Sequence, residues 1–180
     1  MGNPEKPEAF RSFVESIEGL SVAAHKLWLK EHKEKAVPFV AGNVSFYNES
    51  SNGKEVDPSP IVGCVGYLED YRKAVTMQLK KSGSLLYLLG SRKDELGGSV
   101  YYEIHNALGA NVPTPDLDHE RRMMHSVIDL VDGGKVLSCH DISDGGLFAC
   151  VAEMILGGEA NGAIGASVDL SFSKLRVDKD

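Results

Sequence analysis

Two short stretches concentrate the side chains that can do chemistry. The first, Pro38-Phe-Val-Ala-Gly-Asn-Val-Ser-Phe-Tyr-Asn-Glu49, runs an apolar segment into a glycine, an Asn-x-Ser triplet and a polar end. Gly42 lets a ligand come close to the backbone, and Asn43, Ser45, Asn48 and Glu49 supply oxygen and amide groups beside it. Such a set suits a phosphate with a hard cation, because Mg²⁺ prefers oxygen ligands. An ordinary strand-to-turn junction accounts for the same residues without chemistry. The second stretch is His140-Asp-Ile-Ser-Asp-Gly-Gly146. Asp144 or Ser143 can cap the helix that follows, but a cap has no use for His140 and Asp141 as well. Two carboxylates and an imidazole beside free helix N–H groups offer a place for a cation or a polar ligand. The bland alternative is a capping loop.

Other reactive constellations are not assembled. His25, His32, His105, His119 and His125 show no metal-ligand spacing and read as surface positions. Gly97-Gly98-Ser99 resembles a phosphate-binding turn, yet no Lys-Ser/Thr follows, so a helix start is the simpler reading. There is no Gly-x-Ser-x-Gly elbow and no serine-hydrolase or cysteine-protease set.

The elements that must position these residues alternate between two periods. Phe10, Phe13, Val14, Ile17, Leu20 and Ala24 follow helical spacing, predicting a helix over about 8–33 behind Pro4 and Pro7. Ala36–Val44 and Ile61–Leu68 read as buried strands, separated by a polar turn region over 50–60. Ser84–Leu89 is a further strand, and a helix is expected from about Gly97 to His105. Pro113–Asp118 supplies a loop and a cap. The stripe Met124, Val127, Ile128 and Val131 then makes a helix closed by Gly133-Gly134. Val136–Cys139 is a short strand, and Leu147, Val151, Met154 and Ile155 mark a helix stopped at Gly157-Gly158. Ala163–Leu170 is the last predicted strand. This alternation argues for an α/β or α+β sandwich with mixed sheets.

Composition bounds the class. The chain has 180 residues, 42% apolar and 25% charged, enough for one large or two small packed units. The net charge of −7 and the glutamates breaking the basic run Lys26–Lys35 argue against nucleic acid as a partner. No uncharged apolar run is long enough for a membrane span, and the N-terminal residues lack the pattern of a secretory signal. Cys64, Cys139 and Cys150 have no C-x-x-C spacing and read as reduced, packed thiols of a cytoplasmic protein.

Five segments in order resemble the phosphoribosylformylglycinamidine synthase family of purine biosynthesis, in its second half. They are Gly2-Asn-Pro-Glu-Lys-Pro-Glu8, Gly42-Asn-Val-Ser-Phe-Tyr-Asn-Glu49, Pro60-Ile-Val-Gly63, Glu95-Leu-Gly-Gly-Ser99 and His140-Asp-Ile-Ser-Asp-Gly-Gly-Leu147. The resemblance implies a ligase that converts formylglycinamide ribonucleotide to its amidine with ATP, Mg²⁺ and ammonia from a glutaminase. ATP phosphorylates the amide oxygen and ammonia displaces the phosphate. It implies that Gly42 contacts nucleotide, Asn43 ligates Mg²⁺ and Ser45 contacts substrate. For His140, Asp141 and Asp144 it supplies a recognisable motif without individual roles. The Gly42–Glu49 string argues against the related aminoimidazole ribonucleotide, selenophosphate and thiamine-phosphate enzymes.

The implied fold is the end of a β-rich, barrel-forming domain over about 1–72, followed by a truncated α/β sandwich domain over 73–180. The implied superfamily is that of aminoimidazole ribonucleotide synthetase. A nucleotide-contacting aspartate, the first half with its catalytic histidine and most metal carboxylates, and the last elements of the second domain are then expected outside these residues. The chain alone is expected to be inactive, with no catalytic residue of its own. Its expected partners are the glutaminase subunit and a small accessory subunit where these are separate chains, and self-association through the open barrel edge, or disorder before about residue 73, is expected of the isolated chain. The alternative is a non-catalytic module that binds a nucleotide or docks the glutaminase.

Overall fold

The computed structural model describes residues 1–158 and 164–169. Four α-helices occur among them: α1, Pro7–Lys26; α2, Val100–Ile104; α3, Leu117–Asp132; and α4, Gly146–Leu156. Single 3₁₀ turns lie at Lys30–His32 and Tyr71–Lys73. The chain divides into two compact units, one of Met1–Tyr67 with Leu88–Val127, the other of Leu68–Tyr87 with the described residues from Ile128 on.

In the first unit, α1 begins where Pro7 presets the helical backbone and has no N–H to leave unpaired. Glu8 in the first turn and His25 and Lys26 in the last complement the helix dipole. The helix ends at Lys26, about seven residues before the predicted end near residue 33, because α3 holds the end. The Arg121 guanidinium donates to the Lys26 carbonyl at 2.8 Å, sits 4.6 Å over the Trp28 ring and pairs with Asp118 at 2.7 Å. His125 Nε2 bonds the Trp28 carbonyl at 3.1 Å. His119 and His125 are therefore partly buried, not the surface residues their spacing suggested. Asp116 caps α3 by accepting from the His119 amide at 3.0 Å. The Glu95–Ser99 segment closes tightly on the loop after α2: the Gly97 and Gly98 amides donate to the Asn111 and Leu108 carbonyls, both at 2.7 Å. A side chain at Gly97 would meet the Asn111 backbone at 2.7 Å, so this glycine is required by close approach.

In the second unit, α4 carries the two buried apolar residues found among the described residues, Cys150 and Met154. The Leu79 amide donates to the Met154 carbonyl at 2.9 Å, and the Ser138 hydroxyl to the Gln78 carbonyl at 2.6 Å. Residues 76–80 thus run beside 137–139, with the Cys139 amide on the Thr76 carbonyl at 3.3 Å. As expected, α3 stops at Gly133-Gly134, where the Lys135 amide turns back to the Leu130 carbonyl at 2.9 Å.

The expected strands differ. Residues 36–44, 61–68, 84–89 and 136–139 are not in regular ladders, and the isolated bridge Glu49–Glu55 is the one β pairing among the described residues. A strand exists only by virtue of a neighbour, and among the described residues these segments make at most single backbone bonds, such as Val37 to Ala24 and Cys139 to Thr76, rather than a ladder. Residues 164–169 are likewise without strand, while the ends of the predicted strand 163–170 and the terminal stretch 171–180 lie outside the described residues. Cys150 is packed as expected, whereas Cys64 and Cys139 are exposed. No described helix is long and apolar enough to cross a membrane.

Candidate functional site

The first unit brings two of the five motif segments together. The Tyr47 amide donates to the Gly2 carbonyl at 2.9 Å and the Asn48 amide to the Met1 carbonyl at 3.2 Å. Tyr47 reaches this pairing in the left-handed region, φ +58°, a conformation that costs a side-chain-bearing residue on the order of 1 kcal/mol. The Asn48 side-chain amide donates to the Met1 carbonyl at 3.1 Å, the Ser45 carbonyl at 3.0 Å and the Ser45 hydroxyl at 3.1 Å. Asn48 is therefore the knot of this turn, and it orients Ser45. Phe46 anchors the turn on α1, edge-on to Phe13 with ring centroids 5.1 Å apart.

Charge frames the same corner. Lys6 bridges Glu49 at 3.4 Å and also bonds Glu55. Its ammonium holds the Glu55 carboxyl below the usual range, and Glu55 raises Lys6 in return. Gly42, Asn43 and Ser45 are exposed, and a side chain added at Gly42 would meet nothing within 4 Å. No fold constraint demands a glycine there. Asn43 offers one hard oxygen donor, but no group of three or more His, Cys, Asp or Glu converges as a metal-holding set among the described residues.

The second unit holds the other polar stretch. His140 and Asp141 line a cavity of about 490 Å³ with Leu68, Lys73, Val75 and Val131. His140 Nε2 lies 2.7 Å from Glu153 Oε2 on α4, and Nδ1 lies 3.2 Å from Asp141 Oδ1. The bond to Glu153, then the Asp141 carboxylate, raises the imidazole above its usual pKa against the cost of desolvation. Asp141 is held low first by a backbone N–H, with Ser143 and His140 adding to it. Asp144 is exposed and is not among the partners of His140.

Neither Asp144 nor Ser143 caps α4, contrary to the capping expectation. The cap position is Gly145 in the left-handed region at φ +78°, where a side chain would also strike Ala149 Cβ at 2.5 Å. Glu153 escaped the sequence reading because it lies thirteen residues from His140. The available signal was an acidic residue breaking the apolar run Leu147–Leu156.

Residues 81–179, more than half of the chain, match the family described as AIR synthase related protein, C-terminal domain, and the chain belongs to that family. The particular likeness is to phosphoribosylformylglycinamidine synthase subunit PurL, and it extends along the whole chain rather than resting on five motifs. The protein of that name from Methanothrix thermoacetophila is 52% identical over 180 residues, which are 99% of this chain and 23% of the relative. Those from Alkaliphilus metalliredigens and Symbiobacterium thermophilum are 41% and 38% identical over 178 residues, 98% of this chain and 22% of each relative. The chain spans less than a quarter of the length of these relatives. No solved structure matches it.

Proposed function

We propose that this chain is a segment of a phosphoribosylformylglycinamidine synthase, acting within a larger enzyme that makes formylglycinamidine ribonucleotide from formylglycinamide ribonucleotide, ATP and glutamine-derived ammonia. The observation that carries this reading is 52% identity along all but 1% of the chain to a subunit bearing that name. The junction of Met1-Gly2 with Tyr47-Asn48 supports it, since it builds one polar corner from two motif segments.

Within that corner, the open approach to Gly42 leaves its backbone free to meet a nucleotide phosphate. Asn48 aims the Ser45 hydroxyl, which suits it to hydrogen-bond substrate. The Asn43 amide oxygen would offer Mg²⁺ one hard ligand, and the remaining ligands would come from outside this chain. When bound, that ion offsets charge developing on the transferred phosphoryl group. The chain contributes these contacts without a catalytic residue of its own, so it is inactive alone.

The domain reading belongs to the same proposal: 1–72 closes a barrel-forming domain, and 73–180 is the α/β sandwich domain. The segments 36–44 and 61–68, which form no ladder among the described residues, then find their neighbouring strands in the rest of the enzyme. The glutaminase and accessory subunits are its partners, ATP and Mg²⁺ its cofactors, and the cytoplasm its place.

The test is Asn43→Ala in the full-length synthase. Turnover is expected to fall by roughly tenfold or more and the Mg²⁺ requirement to rise, since one hard ligand is lost. Unchanged Mg²⁺ dependence and turnover would remove the metal role. Calorimetry of the 180-residue chain with Mg²⁺ and ADP separates this from a nucleotide-binding module, which alone predicts heat without the remaining domains.

A further inference from the structure

We propose that Glu153 is a positioning residue for Asp141, acting through His140, and that Asp141 is the group offered to a polar ligand in the cavity beside it. This rests on the reading of residues 140 and 141 as a ligand-facing site of the proposed synthase.

Geometry carries the argument. A histidine can take a proton from a substrate only if one ring nitrogen presents a free lone pair to it. Here Nε2 faces Glu153 at 2.7 Å and Nδ1 faces Asp141 at 3.2 Å, so both nitrogens are committed to carboxylate oxygens. The ring that satisfies both is the imidazolium, donating twice. The His140 side chain is 14% exposed, while that of Asp141 is 80% exposed. The Asp141 carboxylate also takes a backbone N–H and the Ser143 hydroxyl, and at 80% exposure it still has lone pairs to present at the cavity wall. Thus Glu153 holds the ring from α4, the ring holds Asp141, and the acting oxygen belongs to Asp141.

The surroundings agree. Lys73 faces the same cavity but is paired with Asp132 at 3.5 Å, so it neither competes for Asp141 nor repels the ring at contact distance. Cys139 also lines the cavity. Cys150 is buried on α4, its thiol pushed up by burial first and by Glu153 next. The cavity walls from Leu68, Val75 and Val131 are apolar, which leaves Asp141 as the acceptor for a donor-bearing ligand.

Glu153→Gln tests the chain of contacts with little risk to folding, because the Glu153 side chain is 53% exposed and the buried Cys150 and Met154 are untouched. In the ¹⁵N-histidine-labelled chain, His140 is expected to titrate above the ordinary 6.5, with both ring nitrogens protonated below its midpoint. The midpoint should fall in Glu153→Gln, and by less in Asp141→Asn. In the full-length synthase, His140→Gln is expected to lower turnover by roughly ten- to a hundredfold, and adding Glu153→Gln to it should lower turnover no further. An unchanged midpoint in Glu153→Gln, or losses that multiply in the double variant, would overturn the proposal. Full turnover in Asp141→Asn would overturn the role given to Asp141 even where the titration holds. The Asn43 measurement depends on none of these groups, so the two readings fail separately.

Discussion

Two glycines of the first unit look alike in the sequence and differ in what surrounds them. Gly97 lies against the Asn111 backbone, where an added methyl group would sit 2.7 Å from a carbonyl carbon that cannot swing aside. Gly97→Ala is expected to cost about 1–3 kcal/mol, the range for forcing volume into a filled site, read as a lower denaturant midpoint. Gly42→Ala meets open space and should leave that midpoint unchanged. If Gly42 serves a nucleotide, the same substitution weakens nucleotide binding in the full-length synthase without touching stability, and a drop in both would attribute Gly42 to the fold. The polar loop at 42–49 was legible because glycine, asparagine and serine lie within four positions. Two features were not. Tyr47's left-handed backbone depends on carbonyls more than forty residues away, and the His140–Glu153 contact depends on how α4 leaves its loop.

At the scale of elements, helices were readable and strands were not. The stripes behind α1, α3 and α4 repeat every three to four residues, so each helix announces its apolar side within its own sequence. An extended segment such as 84–89 announces only that it is apolar, and whether it pairs is decided by distant residues. The early end of α1 shows the same rule, since Arg121, ninety-five residues downstream of Lys26, holds the chain there. One weak point inside α1 is Gly19, whose added side chain would touch nothing within 4 Å. Gly19→Ala should stabilise the helix by about 0.5–1 kcal/mol by lowering the entropy of the unfolded chain and improving helix propensity. Thermal unfolding followed by circular dichroism checks it, and a lower transition would mean that this face of α1 is covered by something else.

For the molecule as a whole, the largest fact is apolar surface left open. Ile61 is 98% exposed and Val65 102%, on the same side of an extended segment by the two-residue period, and Tyr67 continues that side. A row of this kind, with no backbone partner among the described residues, is a template for another strand. In the proposed enzyme that strand comes from another part of the barrel. In the 180-residue chain, a second copy is the available substitute. Light scattering at micromolar concentration is expected to show self-association that weakens when Val65→Lys places a charge on the edge. A monodisperse monomer for the unaltered chain would end that expectation. Family membership over 81–179 does not depend on this edge, because the match falls outside residues 61–67.

The clasp at the end of α1 has a practical consequence. Trp28 is the sole tryptophan of the chain, and it sits beneath a guanidinium and edge-on to the His125 ring, with centroids 5.1 Å apart. Its emission is therefore a built-in optical gauge of that clasp: release of Arg121 and His125 changes both the polarity and the quenching around the indole. The gauge reports on the end of α1, since Trp28, Arg121 and His125 all belong to the first unit.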